Sequence, residues 1–258
     1  MRVFRSLDEI RGKLTLPAVT VGSFDGVHRG HMQIVNKVIE TAKETGGESL
    51  VITFDPHPRE VVNKNGNPIK LLTTVEEKIY LLGKAGIENI FIIDFNSEFS
   101  RMSYSEFAEE YLLKSIGARN IIAGYNHHYG HKRRGDKHNL ESFGDRYDFM
   151  VYQIPMYGPE EVKVSSTTIR TMIAEGALTE ANKYLWQDYT VFGEKVSDNE
   201  LLVRNNKKLL PPDGTYCTAI ENNGITSDCK CIVNGRNLIF SSSLNAIPGN
   251  TVVLRFQS

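Results

Sequence analysis

The sequence predicts an α/β fold, a doubly wound parallel sheet, followed by a small all-β barrel. Short apolar segments alternate with segments of helical periodicity as far as about residue 185, and strands that are separated by helices form parallel sheets. From Tyr189 onwards, six short β-rich segments are divided by turn residues, a pattern typical of a barrel or sandwich. We therefore expect a first domain over residues 1–187 and a barrel domain over residues 188–258.

The first strand and helix can be recognised from their patterns. Ala18–Val21 is short, apolar and bounded by Pro17 and Gly22, as a buried parallel strand is. Apolar residues then recur at helical spacing until Gly46 ends the pattern; they are Ile34, Val35, Val38 and Ala42. The other strands predicted for this domain are Leu50–Phe54, Ile90–Asp94, Asn120–Ala123 and Phe149–Tyr152.

Two capping boxes predict further helix starts, and turn residues delimit the barrel strands. Thr74 with Glu77, and Ser103 with Glu106, have the spacing at which each side chain satisfies the other's backbone N–H. The predicted barrel strands are Tyr189–Phe192, Leu201–Val203, Thr215–Ile220, Lys230–Val233, Leu238–Phe240 and Val252–Phe256.

The composition excludes several classes of protein. The 258 residues carry 30 basic and 31 acidic side chains, so no overall field favours nucleic acid or an anionic membrane. The N-terminus has no apolar signal core, and no apolar segment is long enough to span a membrane. We expect a cytoplasmic protein. Cys217, Cys229 and Cys231 lack the C-x-x-C spacing of metal or redox sites and are expected to be reduced thiols.

The most informative segment is Gly22–His31, which follows the first strand. Its three glycines permit a tight turn and a close approach of the backbone to a ligand. The helix that follows presents free N–H groups and the positive end of its dipole. His28 and His31 are a turn apart on one face and can donate hydrogen bonds to phosphate oxygens. The segment therefore predicts a nucleotide-phosphate site.

Two other interpretations fit this segment less well. A zinc pair would need further ligands and gives no reason for the glycines. A P-loop is excluded, because no Gly-Lys-Ser/Thr ends the turn.

Three further segments follow predicted strands or begin a predicted helix. Asp55–Arg59 contains two prolines that stiffen a loop carrying a histidine and an arginine, which suits phosphate or a planar ring. Gly124–Asp136 contains aromatic, amide and basic residues that can bind a nucleotide or flavin; metal ligation and RNA binding stay open there. Val164–Arg170 offers hydroxyl groups and a guanidinium at a helix start, which can together bind a triphosphate.

In these four segments the chain resembles the bacterial bifunctional riboflavin kinase/FAD synthetase family. That family's N-terminal half is a Rossmann-like adenylyltransferase of the H-x-G-H nucleotidyltransferase superfamily. The four matching motifs occur in the same order, within residues 15–175. They are Gly22–His31, Phe54-x-Pro-His-Pro58, Gly124–Gly135 and Ser165-Ser-Thr-x-Ile-Arg170.

The resemblance implies transfer of AMP from ATP to FMN, with Mg2+ accompanying the ATP and FAD as the product. It implies small-molecule partners, no nucleic acid or membrane, and a monomer or weak homo-oligomer. The implied catalytic residues are His28, His31 and Arg170. The implied nucleotide-binding residues are Gly22, Ser23, Phe24, Asp25, Gly30, Asn126, Ser165, Ser166 and Thr167, of which Asn126 is also the metal ligand. The implied flavin-binding residues are His57, Pro58, Arg59, Tyr125 and His128.

The chain departs from the family's pattern at two places. Asn126 stands where the family usually has an aspartate, which removes one carboxylate from the magnesium region. In the C-terminal part, Glu194–Arg204 replaces the G-R-x-L-G-x-P-T-A-N segment that binds ATP and magnesium in the family's kinase. The family's later acidic segment and C-terminal helix are also missing. We therefore expect a barrel without riboflavin kinase activity, kept as a structural or flavin-sensing module.

Three other functions are alternatives to this expectation. One is an enzyme that also phosphorylates riboflavin. A second transfers AMP or CMP to another small phosphate, although such enzymes usually lack the Pro-His-Pro loop and the barrel. A third is a flavin-binding regulator that has lost catalysis, which would have no need of a triphosphate site.

Overall fold

The chain forms two compact units. The computed structural model describes residues 1–62, 68–125, 130, 137–155, 165–222, 225–244 and 250–257. Unit 1 consists of Met1–Phe24, Gly30–Pro68 and Leu82–Gly158. Unit 2 consists of Asp25–Arg29, Ile69–Leu81 and Pro159–Ser258. Two short segments from the first third of the chain therefore belong to the same unit as the barrel.

Unit 1 contains a parallel sheet of six strands in the order β1-β4-β3-β2-β5-β6. The order reverses at β2, which lies between β3 and β5. In open α/β sheets, ligands bind beyond the carboxyl ends of the strands at such a reversal. The strands are β1 Arg2–Phe4, β2 Ala18–Val21, β3 Ser49–Asp55, β4 Asn89–Asp94, β5 Asn120–Gly124 and β6 Met150–Ile154.

The central strands of the sheet are buried. All four residues of β2 are buried, as are the first five of β3, and a parallel sheet is normally buried on both faces. In chain order the helices are α1 Leu7–Ile10, α2 Arg29–Thr45, α3 Pro58–Val62, α4 Val75–Lys84, α5 Tyr104–Glu106, α6 Lys137–Tyr147, α7 Ser166–Ala174 and α8 Leu178–Tyr184. A 3₁₀ turn, Phe99–Arg101, and a π-helix, Phe107–Ser115, accompany them.

Unit 2 contains a closed antiparallel barrel of six strands in the order β10-β11-β8-β7-β12-β9. Side chains from the barrel, from α7 and α8 and from Leu72 form one apolar core. The strands are β7 Tyr189–Ser197, β8 Glu200–Leu202, β9 Gly214–Asn222, β10 Ile225–Asn234, β11 Asn237–Phe240 and β12 Thr251–Phe256. The predicted fold class, a parallel α/β sheet followed by an all-β barrel, is confirmed.

Local structure differs from the sequence prediction in three places. No pattern predicts β1, because three residues are too few to show alternation. The prolines of Asp55–Arg59 predict a loop, but Pro58 begins the short helix α3, and proline fits the first turn of a helix. The capping box of Ser103 and Glu106 is present, yet the helix continues as a π-helix after Glu106.

Candidate functional site

The turn after β2 is held in an unusual backbone conformation. Phe24, Gly26 and Val27 have φ values of +47°, +84° and +40°. Left-handed backbone costs a non-glycine residue free energy, most of all a β-branched one, and such residues concentrate at binding sites. Gly26 is also required sterically, since a Cβ there would come within 2.8 Å of the Leu72 side chain. The segment Gly22–His31 therefore forms a tight turn, as its glycines predict, and the backbone strain lies at Phe24 and Val27.

In unit 1, the residues that flank this turn pack closely at the end of β2. The rings of Phe24 and His31 lie 5.1 Å apart at 55°, and Phe24 is almost fully buried. The Ser23 carbonyl accepts a hydrogen bond from Thr53 Oγ1 at 3.2 Å. Gly22 and Gly30 are half-buried. The first turn of α2 carries no acidic residue, so its positive dipole end is not neutralised from within the helix.

In unit 2, Asp25 is buried and both of its carboxylate oxygens accept hydrogen bonds from the protein. Oδ1 accepts from Thr73 N at 2.9 Å and from Thr73 Oγ1 at 3.3 Å. Oδ2 forms an ion pair with Arg170 Nη2 at 2.7 Å. Because charged side chains are almost never buried without a partner, this pair fixes both the carboxylate and the guanidinium.

Ser166 and Arg170 connect α7 to the same turn. Ser166 Oγ donates to the Asp25 carbonyl at 2.9 Å, and Arg170 Nε donates to the Lys70 carbonyl at 2.6 Å. Gly26 N donates to Thr73 Oγ1 at 3.0 Å. Two motifs that lie far apart in the sequence thus form one hydrogen-bonded cluster around Asp25.

The start of α7 contains the N-cap residue Ser165 and the exposed residue Thr167. Ser165 is the N-cap, and its Oγ accepts from Thr168 N at 3.2 Å. Thr167 is exposed on the first turn. This geometry leaves the hydroxyl of Ser165 engaged in the cap, while Thr167 lies at the surface of the helix start.

His28 is buried and uncharged at neutral pH. Its backbone forms an isolated antiparallel bridge with Leu185. Burial lowers its pKa from 6.5 to about 4, although the negative charge of Asp25 opposes that shift. At neutral pH the imidazole therefore offers one N–H donor and no charge.

The Pro-His-Pro segment of unit 1 lies next to aromatic side chains. His57 Nδ1 accepts a hydrogen bond from Arg59 N at 3.1 Å, which places the proton of the neutral ring on Nε2. Pro58 begins α3, and this helix packs against the 3₁₀ turn Phe99–Arg101.

An aromatic group that the sequence analysis missed lies at the carboxyl ends of β3 and β4. The Phe54 and Phe95 rings are 5.3 Å apart, and the Phe99 ring is 6.0 Å from Phe54 and 5.4 Å from Phe95. All three are half-buried. The signal in the sequence was the presence of phenylalanines at the ends of two neighbouring strands, where ligands of this fold class bind.

The remaining predicted residues follow β5. Tyr125 is 46% exposed and its carbonyl accepts from Gln153 Nε2 at 3.2 Å. Asn126 and His128 lie outside the described residues. Within the described ranges, no three His, Cys, Asp or Glu side chains are grouped closely enough to hold a metal ion. No helix in the described part of the chain has the length and apolar character needed to cross a membrane.

The chain is similar to known proteins over most of its length. A family model for FAD synthetase matches residues 13–168. A bifunctional riboflavin kinase/FMN adenylyltransferase of Listeria monocytogenes is 31% identical over 81% of this chain and 69% of its own. Its counterpart in Buchnera aphidicola from Schizaphis graminum is 30% identical over 78% of this chain and 64% of its own. The chain thus spans about two thirds of the length of these relatives.

The fold is also seen in a solved structure. A macrolide-efflux protein from Streptococcus pneumoniae superposes with a TM-score of 0.81 and 24% identity over 98% of this chain and 88% of that one. At that identity the likeness concerns the fold alone. The family model covers more than half of the 258 residues, and it includes the strained turn and the aspartate that holds Arg170. On these matches, the chain is a member of the FAD synthetase family.

Proposed function

We propose that this protein is an FMN adenylyltransferase, which transfers AMP from ATP to FMN and releases pyrophosphate. The observation that carries the proposal is the cluster around Asp25, in which Ser166 and Arg170 of α7 meet the turn that precedes α2. Membership of the FAD synthetase family supports the same reaction. A protein that only binds flavin has no need of a guanidinium and histidines at a helix start.

The reaction is a displacement at the α-phosphorus of ATP. An oxygen of the FMN phosphate forms a bond to that phosphorus, and the bond to the oxygen that bridges to the β-phosphorus breaks. Pyrophosphate leaves with the electron pair. No protein nucleophile is required, so the chain acts by orienting the two phosphates and stabilising the charge that develops on them.

The proposed catalytic residues differ in charge and therefore in task. Arg170 is permanently charged and stabilises negative charge on the leaving pyrophosphate. His28 is neutral at pH 7 because of its burial, so it donates a hydrogen bond to phosphate without bringing a charge. His31, on the first turn of α2, also donates a hydrogen bond to phosphate. The nucleotide-binding roles given by the resemblance to Gly22, Ser23, Phe24, Asp25, Gly30, Ser165, Ser166 and Thr167 are part of this proposal.

Magnesium accompanies ATP in this proposal, with Asn126 as its ligand from the chain. Mg2+ normally reaches such sites bound to substrate phosphates with few protein ligands. It would neutralise phosphate charge. Asp25 does not suit a ligand role in the conformation seen here, because both carboxylate oxygens already accept hydrogen bonds from Thr73 or pair with Arg170.

We propose that FMN lies at the carboxyl ends of β3 and β4. The half-buried Phe54, Phe95 and Phe99 offer ring surfaces for the flavin, and aromatic groups of this size bind planar rings well. His57 supplies a hydrogen-bond donor and Arg59 a cation for its phosphate, and Pro58 lies between them on the same side. Tyr125 and His128 complete the proposed flavin set.

The barrel domain over residues 188–258 is proposed to lack riboflavin kinase activity. The segment that replaces the family's ATP-binding motif forms the hairpin of β7 and β8, in which Glu194 pairs with Leu202 and Lys195 with Leu201. Arg204 Nε also forms an ion pair with Glu194 Oε2. We further propose a cytoplasmic protein that is a monomer or a weak homo-oligomer.

The flavin that is offered as acceptor distinguishes adenylyltransferase activity from riboflavin kinase activity. The purified protein is incubated with ATP, magnesium and either FMN or riboflavin, and the flavins are separated by chromatography. FAD from FMN and no product from riboflavin supports the proposal. FMN or FAD from riboflavin contradicts the loss of the kinase, and no product from either flavin contradicts the adenylyltransferase.

A further inference from the structure

Unit 2 contains a fully buried ion pair that the proposed mechanism does not use. Lys208 Nζ lies 2.8 Å from Glu77 Oε2, and neither side chain is exposed. Burial lowers the pKa of the Lys208 ammonium, and the negative charge of Glu77 opposes that change. Buried ion pairs rarely stabilise a fold more than apolar side chains of the same size would. Stability alone therefore gives little reason for this pair.

Lys208 lies in the connection between β8 and β9. The backbone of this connection is hydrogen-bonded to the segment Ile69–Leu81. Leu71 N donates to the Lys207 carbonyl at 2.7 Å, and Leu209 N donates to the Leu71 carbonyl at 2.9 Å. These two bonds enclose Lys208 in a parallel bridge with Leu71. The backbone before Thr73 is thus fixed to the barrel.

The ammonium of Lys208 directs all three of its hydrogen bonds to fixed acceptors. Besides Glu77, it donates to the Leu72 carbonyl at 2.6 Å and to the Thr190 carbonyl on β7 at 2.7 Å. It also lies 4.3 Å from the centre of the Tyr189 ring, a cation–π contact. Lys208 therefore holds the residue that precedes Thr73 against the barrel wall.

Glu77 holds the residue that follows Thr73. Its Oε2 accepts from Thr74 N at 2.8 Å as part of the capping box of α4. Its Oε1 accepts from Phe192 N on β7 at 2.8 Å. Thr73 thus lies between two fixed residues. The carbonyl of Leu72 accepts from Lys208, and the N–H of Thr74 donates to Glu77.

Thr73 is the residue that holds the turn of the proposed site. Its N–H and hydroxyl bond to Asp25 Oδ1, and its Oγ1 accepts from Gly26 N. The other oxygen of Asp25 pairs with Arg170. We propose that Lys208, from within the barrel, is a positioning residue for adenylyl transfer: with Glu77 it fixes Thr73, and Thr73 fixes Asp25 and Arg170 for the phosphates of ATP.

This inference rests on the proposed function, and it gives the barrel a task that needs no kinase chemistry. It predicts that removing the Lys208–Glu77 pair raises the KM for ATP and changes the KM for FMN much less. A purely structural role would instead lower stability and leave both KM values unchanged.

The test compares four forms of the full chain: Lys208→Met, Glu77→Gln, the double variant, and Val233→Ala as control. Val233 is buried in the barrel core, so its truncation weakens the same barrel by removing apolar contacts. The double variant leaves no single charge buried, and it keeps the test decisive if Lys208→Met does not fold. The measurements are kcat, the KM for ATP, the KM for FMN and the melting temperature.

Lys208→Met and the double variant are expected to raise the KM for ATP roughly tenfold, the size of effect typical of such networks. The KM for FMN should change less than about twofold on the same reasoning, and Val233→Ala should leave both KM values unchanged despite a lower melting temperature. Two kinetic outcomes overturn the proposal. One is a folded double variant with the unaltered KM for ATP. The other is an equal rise in the KM for ATP caused by Val233→Ala.

A readout without catalysis separates this proposal from the adenylyltransferase itself. The pKa of His28 is followed by NMR, with His28→Gln used to assign its signal. If Lys208 and Glu77 fix the turn, their double replacement loosens residues 25–29, admits water and raises that pKa from about 4 towards 6.5. An unchanged pKa overturns the positioning role. Absence of FAD from the unaltered protein overturns only the proposed reaction, since the titration of His28 still decides the positioning.

Discussion

Arg170 Nη2 lies 2.7 Å from Asp25 Oδ2, and this pair joins the helix start of α7 to the strained turn before α2. The guanidinium is positioned by a carboxylate that is itself held by Thr73. Asp25→Asn should therefore lower the free energy of unfolding by about 3 kcal/mol, as expected when one partner of a buried pair is removed. Urea unfolding measures the loss, and a change below about 1 kcal/mol would contradict a buried, structurally important pair.

Arg170→Lys tests the guanidinium rather than its charge. Arg170 donates to Asp25 through Nη2 and to the Lys70 carbonyl through Nε, a fork that a lysine ammonium does not reproduce. We expect kcat for FAD formation to fall about tenfold or more, because the charge near the leaving pyrophosphate is displaced. Steady-state kinetics measures this. Full activity in the lysine variant would show that any cation at this position is sufficient.

His31→Ala should reduce turnover far more than FMN binding. In the proposed mechanism the histidine donates to phosphate oxygens of ATP, so kcat should fall on the order of 100-fold, as for the loss of one donor to a developing charge. Binding of FMN, followed by its fluorescence, should change little. Near-normal turnover would contradict the phosphate role of His31.

The burial of His28 predicts a stability that depends on pH. In the unfolded chain the imidazole takes up a proton below pH 6.5, whereas in the folded protein it does so only near pH 4. The unfolded state thus binds more protons between these values. Stability is fully present above pH 6.5 and falls by about 3 kcal/mol as the pH drops to 4.

His28→Gln removes this dependence, because glutamine does not titrate. Urea midpoints at pH 7, 5.5 and 4.5 for the unaltered protein and the variant measure the difference. The variant should lose less stability than the unaltered protein over this interval. Parallel curves would show that His28 does not titrate abnormally.

Asn126→Asp examines the departure from the family's pattern. If the magnesium region favours a carboxylate, the variant should be as active as the unaltered protein or more so, with a lower requirement for magnesium. FAD formation over a magnesium titration measures this. A sharp loss of activity would show that the amide is selected for its N–H donor.

Phe95→Ala tests the aromatic group at the ends of β3 and β4. Phe95 contacts Phe54 and Phe99, and loss of one aromatic neighbour should raise the KM for FMN about fivefold while the KM for ATP is unchanged. Tyr147→Ala is a matched control, since Tyr147 is a more exposed aromatic residue stacked on Phe143. Equal effects of both substitutions would contradict a flavin site at Phe95.

The sequence predicted most of the architecture because the signals are local. Alternation of strands and helices identified the sheet, and turn residues divided the barrel into the six strands that are present. The capping boxes at Thr74 and Ser103 were found from spacing alone, and both are formed. β1 was missed because three residues carry too little pattern.

The arrangement of the candidate site depended on contacts that are distant in the chain. The glycines and histidines of Gly22–His31 predicted a phosphate site, but no spacing rule indicates that Asp25 pairs with Arg170 or that Glu77 pairs with Lys208. No pattern in the sequence indicates that Lys208 is buried. Its side chain is buried in the folded barrel, through contacts that are distant in the sequence.

The products of a single reaction test the central claim most directly. The purified protein is mixed with FMN, ATP and magnesium, and FAD and pyrophosphate are measured over the same time course. An adenylyltransferase releases one pyrophosphate for each FAD, and none when FMN is left out. No FAD, or ADP in place of pyrophosphate, would contradict adenylyl transfer to FMN.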